Sequence, residues 1–260
     1  QGAARSRAQI DPLWSLNVLH FLDQVKEKKD QALILSRYAG PGSHRYPIGF
    51  SGDSIASWRS LTFQPYFTAT ATNIGYTWWS HDIGGHMHGS YDPELSLRWL
   101  QFGVFSPIMR LHSSDNPFMG KEPWQYDLET DKSMTRFMRL RAQLVPYLAT
   151  ADVLTHQQGM PLIEPVYYRY PEVKEAYQFK NEYFFGSEML VVPITAPSDD
   201  TTGLASAEGY VPAGTWTDLF THQQYTGPAV VKFYRNKFQY PVLVRSGGIV
   251  PLADDAMAAI

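Results

Sequence analysis

Asp53 ends the run Ser51-Gly52-Asp53, and Asp82 stands in His81-Asp82-Ile83-Gly84-Gly85. Each carboxyl group thus lies near glycine, which lets a substrate approach the backbone closely. Two such groups in one pocket could cleave a glycosidic bond, one protonating the leaving oxygen and the other acting as nucleophile or as base for water. Spacing alone leaves open which of the two would be the acid. Arg37 suits a bidentate hold on a carboxylate or on sugar hydroxyls. His112 could donate to a sugar hydroxyl at neutral pH.

The cluster His81, Asp82, His86 and His88 also has the look of a zinc site, through its His-x-His pair and nearby Asp. Two glycines split it, however, and no second spaced His group or His-Glu-x-x-His helix completes it, so no metal and no other cofactor is expected. There is no Gly-x-Ser-x-Gly elbow, phosphate-cradling loop or dinucleotide fingerprint. The other histidines, His20, His44, His156 and His222, read as structural or solvated.

The elements around these residues alternate. Asp11-Pro12 followed by Leu13, Leu16, Val18, Leu19, Leu22 and Val25 predicts a capped amphipathic helix ending near Lys28 and Lys29. Short apolar runs follow at 32–35, 46–50 and 74–80, with a fourth around 107–111. Helices are predicted from Ser57 to Phe67, from the Asp92-Pro93-Glu94 cap to about Phe102, and from about Asp131 to Gln158, the last kinked at Pro146 and stopped by Gly159. Four strand-like runs alternating with helices argue for parallel strand–helix units of an α/β protein. Arg37, Asp53, Asp82 and His112 then stand at the C-terminal ends of successive strands, where barrels and open α/β sheets place their chemistry. After Gly159 the texture turns to short β-rich runs at 183–194, 209–211, 215–220, 230–233, 241–244 and 248–252. Pro212-Ala213-Gly214 and Thr226-Gly227-Pro228 read as turns between them, so an antiparallel β-sandwich is predicted.

Composition excludes several classes. The 260 residues hold 22 basic and 25 acidic side chains without a basic stripe, so nucleic acid is not an expected partner. No window approaches a membrane span. Zero cysteines removes disulfides, thiol nucleophiles and Cys-ligated zinc together. Aromatic residues make up 14% of the chain, and their flat faces serve both core packing and sugar platforms.

The segment from Ser36-Arg37-Tyr38 through Gly49-Phe50-Ser51-Gly52-Asp53 closely resembles glycoside hydrolase family 31, the α-glucosidase and α-xylosidase family. The likeness continues through Trp78-Trp79-Ser80-His81-Asp82-Ile83-Gly84-Gly85 and Gln101-Phe102-Gly103-Val104-Phe105-Ser106-Pro107. Arg110-Leu111-His112-Ser113, Tyr183-Phe184-Phe185-Gly186 and Leu190-Val191-Val192-Pro193 extend it over nearly the whole chain.

The resemblance implies that Asp53 is the general acid/base and that Arg37, Asp82 and His112 bind the sugar whose bond is cut. It thereby makes Asp82 a binding residue and not half of a catalytic pair. Phe50 stands where the family often has Trp, keeping an apolar wall without the indole donor. The family's nucleophile is an Asp in a Trp-rich strand motif upstream of the Ser-Arg element, and no such motif precedes Arg37. The chain is therefore expected to be a fragment lacking the nucleophile and inactive in isolation. Residues 1–159 would hold the fifth to eighth strands of a (β/α)8 TIM barrel, and residues 160–260 a β-sandwich domain. The implied activity is hydrolysis of terminal α-glycosidic bonds in oligosaccharides with retention. α-Xylosidase, transglycosidase and non-catalytic carbohydrate-binding readings stand as alternatives.

Overall fold

A computed structural model describes residues 13–46 and 48–254. The predicted cap at Asp11-Pro12 lies outside the described residues. A π-helical stretch, Trp14–Leu19, runs into α1 (His20–Lys28). Three short strands, β1 (Leu35–Ser36), β2 (Ile48–Phe50) and β3 (Ile55–Ala56), precede α2 (Trp58–Thr70). Next come β4 (Trp79–Ser80), β5 (Met87–Gly89) and α3 (Pro93–Val104). The long predicted helix is two, α4 (Leu128–Gln143) and α5 (Val145–Gln158), parted at Leu144 by the approach of Pro146. Gly159, with φ 68°, ends α5 in the left-handed region that favours glycine.

β1, β2 and β4 pair side by side in parallel, Ser36 opposite Gly49 and Phe50 opposite Ser80. A further parallel bridge joins Ile83 to Leu111 and extends the sheet to the fourth predicted run. These are successive strands of a barrel wall, with α2 and α3 as connecting helices. Among the described residues β1 has one strand neighbour, and Leu35 is 49% exposed there. The helix starts are built from local caps. The Ser57 hydroxyl accepts from the Ser60 N–H, and Asp92 Oδ1 accepts from the Leu95 N–H at 2.9 Å. Asp92 Oδ2 also accepts from Trp58 Nε1 at 2.9 Å, which ties the start of α2 to that of α3.

The second half is all-β: β6 (Ile163–Pro165), β7 (Tyr183–Phe185), β8 (Met189–Val191), β9 (Ala205–Asp218), β10 (Gln224–Arg235) and β11 (Val242–Arg245), with a short α6 (Glu175–Gln178) between β6 and β7. They form one six-stranded antiparallel sheet in the order β10-β9-β11-β8-β7-β6. In β7 and β8 both faces are buried, which explains the unbroken apolar runs. Tyr183, Phe185, Met189 and Val191 point to one core, and Phe184, Leu190 and Val192 to the other, with the period of two of a strand. The first core is continuous with the barrel helices. It takes in Leu97, Trp99, Leu100 and Phe102 of α3, Phe137 of α4 and Leu148 of α5. Every residue of α3 from Leu95 to Val104 is buried, so this helix has no solvent face.

Two expectations in this half are corrected. Pro212-Ala213-Gly214 and Thr226-Gly227-Pro228 are not turns but lie opposite each other inside β9 and β10, where Gly214 pairs with Gly227 and the register shifts. Glycine and proline mark a bulge there. The true turn follows Asp218, whose Oδ1 accepts from the N–H groups of Phe220 and Thr221. Residues 248–252, predicted as a strand, form none, and Ile249 is 79% exposed. Among the described residues no helix is long and apolar enough to cross a membrane.

Candidate active site

Arg37 directly follows β1, Asp53 comes shortly after β2, Asp82 shortly after β4, and His112 follows the bridging Leu111. Parallel pairing therefore gathers all four at one end of the wall, the C-terminal end of its strands. Arg37 Nη1 and Asp53 Oδ2 are 3.7 Å apart, and both side chains are partly open to solvent. Together with Phe50 they line a cavity of about 890 Å³, which Leu16, His20 and Glu27 also line.

Asp82 has the opposite environment. Its side chain is fully buried, Oδ1 accepts from Arg110 Nη2 at 2.5 Å, and Oδ2 has no hydrogen-bond partner. Burial raises its pKa from the ordinary 3.8, against the downward pull of Arg110 first and of His112 and His86 after it. The same Arg110 donates through Nε to the Ser80 hydroxyl, and its guanidinium lies 5.5 Å from the centroid of the Phe50 ring. Arg110 thus links Asp82 to the cavity wall that Phe50 forms. The His112 pKa is lowered, chiefly by burial and then by Arg110, with Asp82 and Asp53 both pulling it upward. The imidazole is neutral at pH 7, able to donate or accept a hydrogen bond.

The His-rich cluster does not assemble as its spacing suggested. His81 is fully buried behind Asp82, where Nδ1 accepts from Trp99 Nε1 at 3.1 Å. The proton therefore sits on Nε2, which donates to the Ser106 hydroxyl at 2.9 Å. Burial holds the His81 pKa down at about 3, with Arg110 adding to the effect. His88 is exposed, at φ 52°. The side chains that do converge are Asp82, His86 and His112, whose potential ligand atoms all lie within 4.8 Å of one another. The Arg110 guanidinium on the same carboxylate opposes a cation at this place.

From the sequence, His86 is placed only in the zinc-like cluster, and Arg110 is given no role. The signal for Arg110 was strand alternation, since Arg110 and His112 are two apart on one strand end and share a face. His86 is positioned by the Gly84-Gly85 turn, at φ 87° and 83°. A Cβ on Gly85 would stand 2.4 Å from the Ala56 Cα, so only glycine fits that turn.

Residues 10–151 match the glycosyl hydrolases family 31 TIM-barrel domain, and residues 159–250 the glycosyl hydrolase family 31 C-terminal domain. An α-xylosidase of Saccharolobus solfataricus is 29% identical over 235 residues, covering 88% of this chain and 31% of its own length. Neutral α-glucosidase C of the mouse is 30% identical over 233 residues, covering 89% of this chain and 25% of its own length. The chain therefore spans about a third or less of the length of these relatives. Among solved structures, a Flavobacterium johnsoniae dextranase complexed with isomaltotriose superposes with a TM-score of 0.81 at 27% identity. That alignment covers 90% of this chain and 30% of the dextranase. Models of the barrel domain and of the C-terminal domain of one family thus match successive parts of this chain, and the chain belongs to glycosyl hydrolase family 31.

Proposed function

We propose that this chain carries the acid/base and a sugar-binding shell of an exo-acting, retaining α-glycosidase of the α-glucosidase type. Residues 1–159 form the C-terminal half of its barrel and residues 160–260 the β-domain. The observation that carries the reading is the buried, unpartnered Oδ2 of Asp82 at the same strand ends as the Arg37–Asp53 pair. A buried acceptor without a donor is costly, and a substrate hydroxyl supplies one.

Asp53 protonates the leaving glycosidic oxygen while a nucleophilic carboxylate attacks the anomeric carbon. In the second step Asp53 takes a proton from the water that displaces the enzyme. The nucleophile is not among the residues assigned here. Arg37, Asp82 and His112 hold the hydroxyls of the sugar being cleaved, and Phe50 gives its ring an apolar wall. The partner of this site is an oligosaccharide. The dextranase bound to isomaltotriose and the Listeria monocytogenes cycloalternan-forming enzyme in complex with a pentasaccharide both support that class. The S. solfataricus α-xylosidase supports xylose in place of glucose as a second reading.

The test follows the sugar released from aryl α-glucoside and α-xyloside by the complete gene product, using proton NMR at early times. Release of the α-anomer supports the reading, and the better substrate decides between the two sugars. Release of the β-anomer contradicts it. Sugar binding without any turnover points to a non-catalytic carbohydrate-binding protein.

A further inference from the structure

The side chain of His86 is mostly buried, and its Nδ1 has no hydrogen-bond partner. It stands 3.8 Å from Asp82 Oδ2, which has none either. That separation is too long for a hydrogen bond, so two buried polar atoms stand side by side without one. Asp82 is anchored through its other oxygen by Arg110. The His86 main chain is fixed at both ends, its N–H donating to the Ser54 carbonyl at 2.8 Å and its carbonyl accepting from the Ser114 N–H at 2.7 Å. Its ring lies 4.7 Å from that of His112. The segments that carry Asp53, Asp82 and His112 therefore all meet at His86.

We infer that His86 is a further sugar-binding residue, which together with Asp82 holds one hydroxyl of the substrate. The inference rests on the α-glycosidase reading above. A hydroxyl is the group that fits, because it is donor and acceptor at once. It donates to Asp82 Oδ2 and accepts from Nδ1–H of His86, whereas an ether or carbonyl oxygen satisfies His86 alone. A divalent cation would also meet both atoms, but Arg110 already occupies the carboxylate with positive charge. Because one hydroxyl has to meet both atoms, the pair is selective for the placement of that hydroxyl on the ring, so His86 contributes to specificity and not only to affinity.

The experiment measures kcat/KM of the complete gene product on an aryl α-glycoside and on its monodeoxy analogues. Wild type is compared with His86→Ala, His86→Asn and Asp82→Asn. His86→Ala is expected to lose roughly 10- to 100-fold on the parent glycoside, the range for a hydrogen bond to a charged or buried partner. On one deoxy analogue it should lose no more than about 3-fold, because the hydroxyl it served is already gone. Asp82→Asn should show its smallest loss on that same analogue. His86→Asn should recover much of the loss, since its amide Nδ2 donates from near the place of Nδ1.

Equal losses for Ala and Asn on every analogue would make His86 structural and overturn the inference. Stoichiometric zinc bound by wild type and lost in His86→Ala would replace the hydroxyl with a metal and overturn it too. Turnover by wild type with His86→Ala unchanged overturns this inference alone. Absence of wild-type turnover on any α-glycoside overturns it together with the reading beneath it.

Discussion

Arg110 and Asp82 are joined at 2.5 Å at the strand ends, with the guanidinium on Oδ1 and the remaining oxygen bare. Burial pushes the Asp82 pKa up, and Arg110 is the largest influence pulling it down. With Asp82 as the proposed acceptor for the sugar, its protonation is expected to weaken binding as pH falls through its raised pKa. Arg110→Met removes the opposing influence and is expected to move that acid limb to higher pH. The pH profile of 1/KM, or of sugar affinity by calorimetry, reads the shift. An unmoved limb would mean that Asp82 does not govern binding.

Arg98 is fully buried in α3 and bonds Glu94, Gln101 and the carbonyls of Arg235, Asn236 and Gln239. It fastens the barrel helices to the loop between β10 and β11. Arg98→Met leaves Glu94 and those carbonyls short of donors and is expected to destabilise the protein by roughly 3–5 kcal/mol, the cost of breaking a buried charged contact. Arg98→Lys keeps the charge but loses the fork, and should fall between the two. Denaturant unfolding measures both, and a loss below about 1 kcal/mol for Met would make the contact dispensable.

Glu182 is buried beneath β9, where Oε2 accepts from the Tyr210 N–H at 2.9 Å and Oε1 has no partner. Burial raises its pKa well above the ordinary 4.5. In the unfolded chain the group ionises as pH passes about 4.5, while the folded protein keeps it neutral, so stability is lost as pH rises from there toward the folded pKa. Glu182→Gln keeps the acceptor for Tyr210 and cannot ionise. Its melting temperature should match wild type near pH 4 and exceed it by a margin that grows as pH rises above about 4.5 until the folded pKa is passed. A constant difference across that range would contradict the shift.

Much of the site was legible because the strand-end residues Arg37, Asp53, Asp82 and His112 sit where alternation of short apolar runs and capped helices puts them. The Asp92-Pro93 cap and the Gly159 stop are local events that a few residues determine, and both fell where expected. Contacts between distant elements were not legible. His86 comes into the site only because the Gly84-Gly85 turn folds against Ala56, and Arg110 matters only once Asp82 is found beside it. The Gly214 and Gly227 segments misled for the same reason, since a glycine reads as a turn until a partner strand shows that it is a bulge.

The division of labour between Asp53 and Asp82 is the central claim, and leaving-group dependence tests it most directly. A general acid matters most when the leaving group is poor, and acid catalysis is typically worth about 10²- to 10⁴-fold. In the complete gene product, Asp53→Asn should slow glycosylation by maltose far more than by an aryl glucoside with an acidic phenol. Added azide should replace water in its second step without needing a base. Asp82→Asn should slow both substrates alike, because its hydrogen bonds are to the sugar they share. If Asp82→Asn shows the leaving-group dependence and azide rescue while Asp53→Asn does not, the assigned roles are reversed.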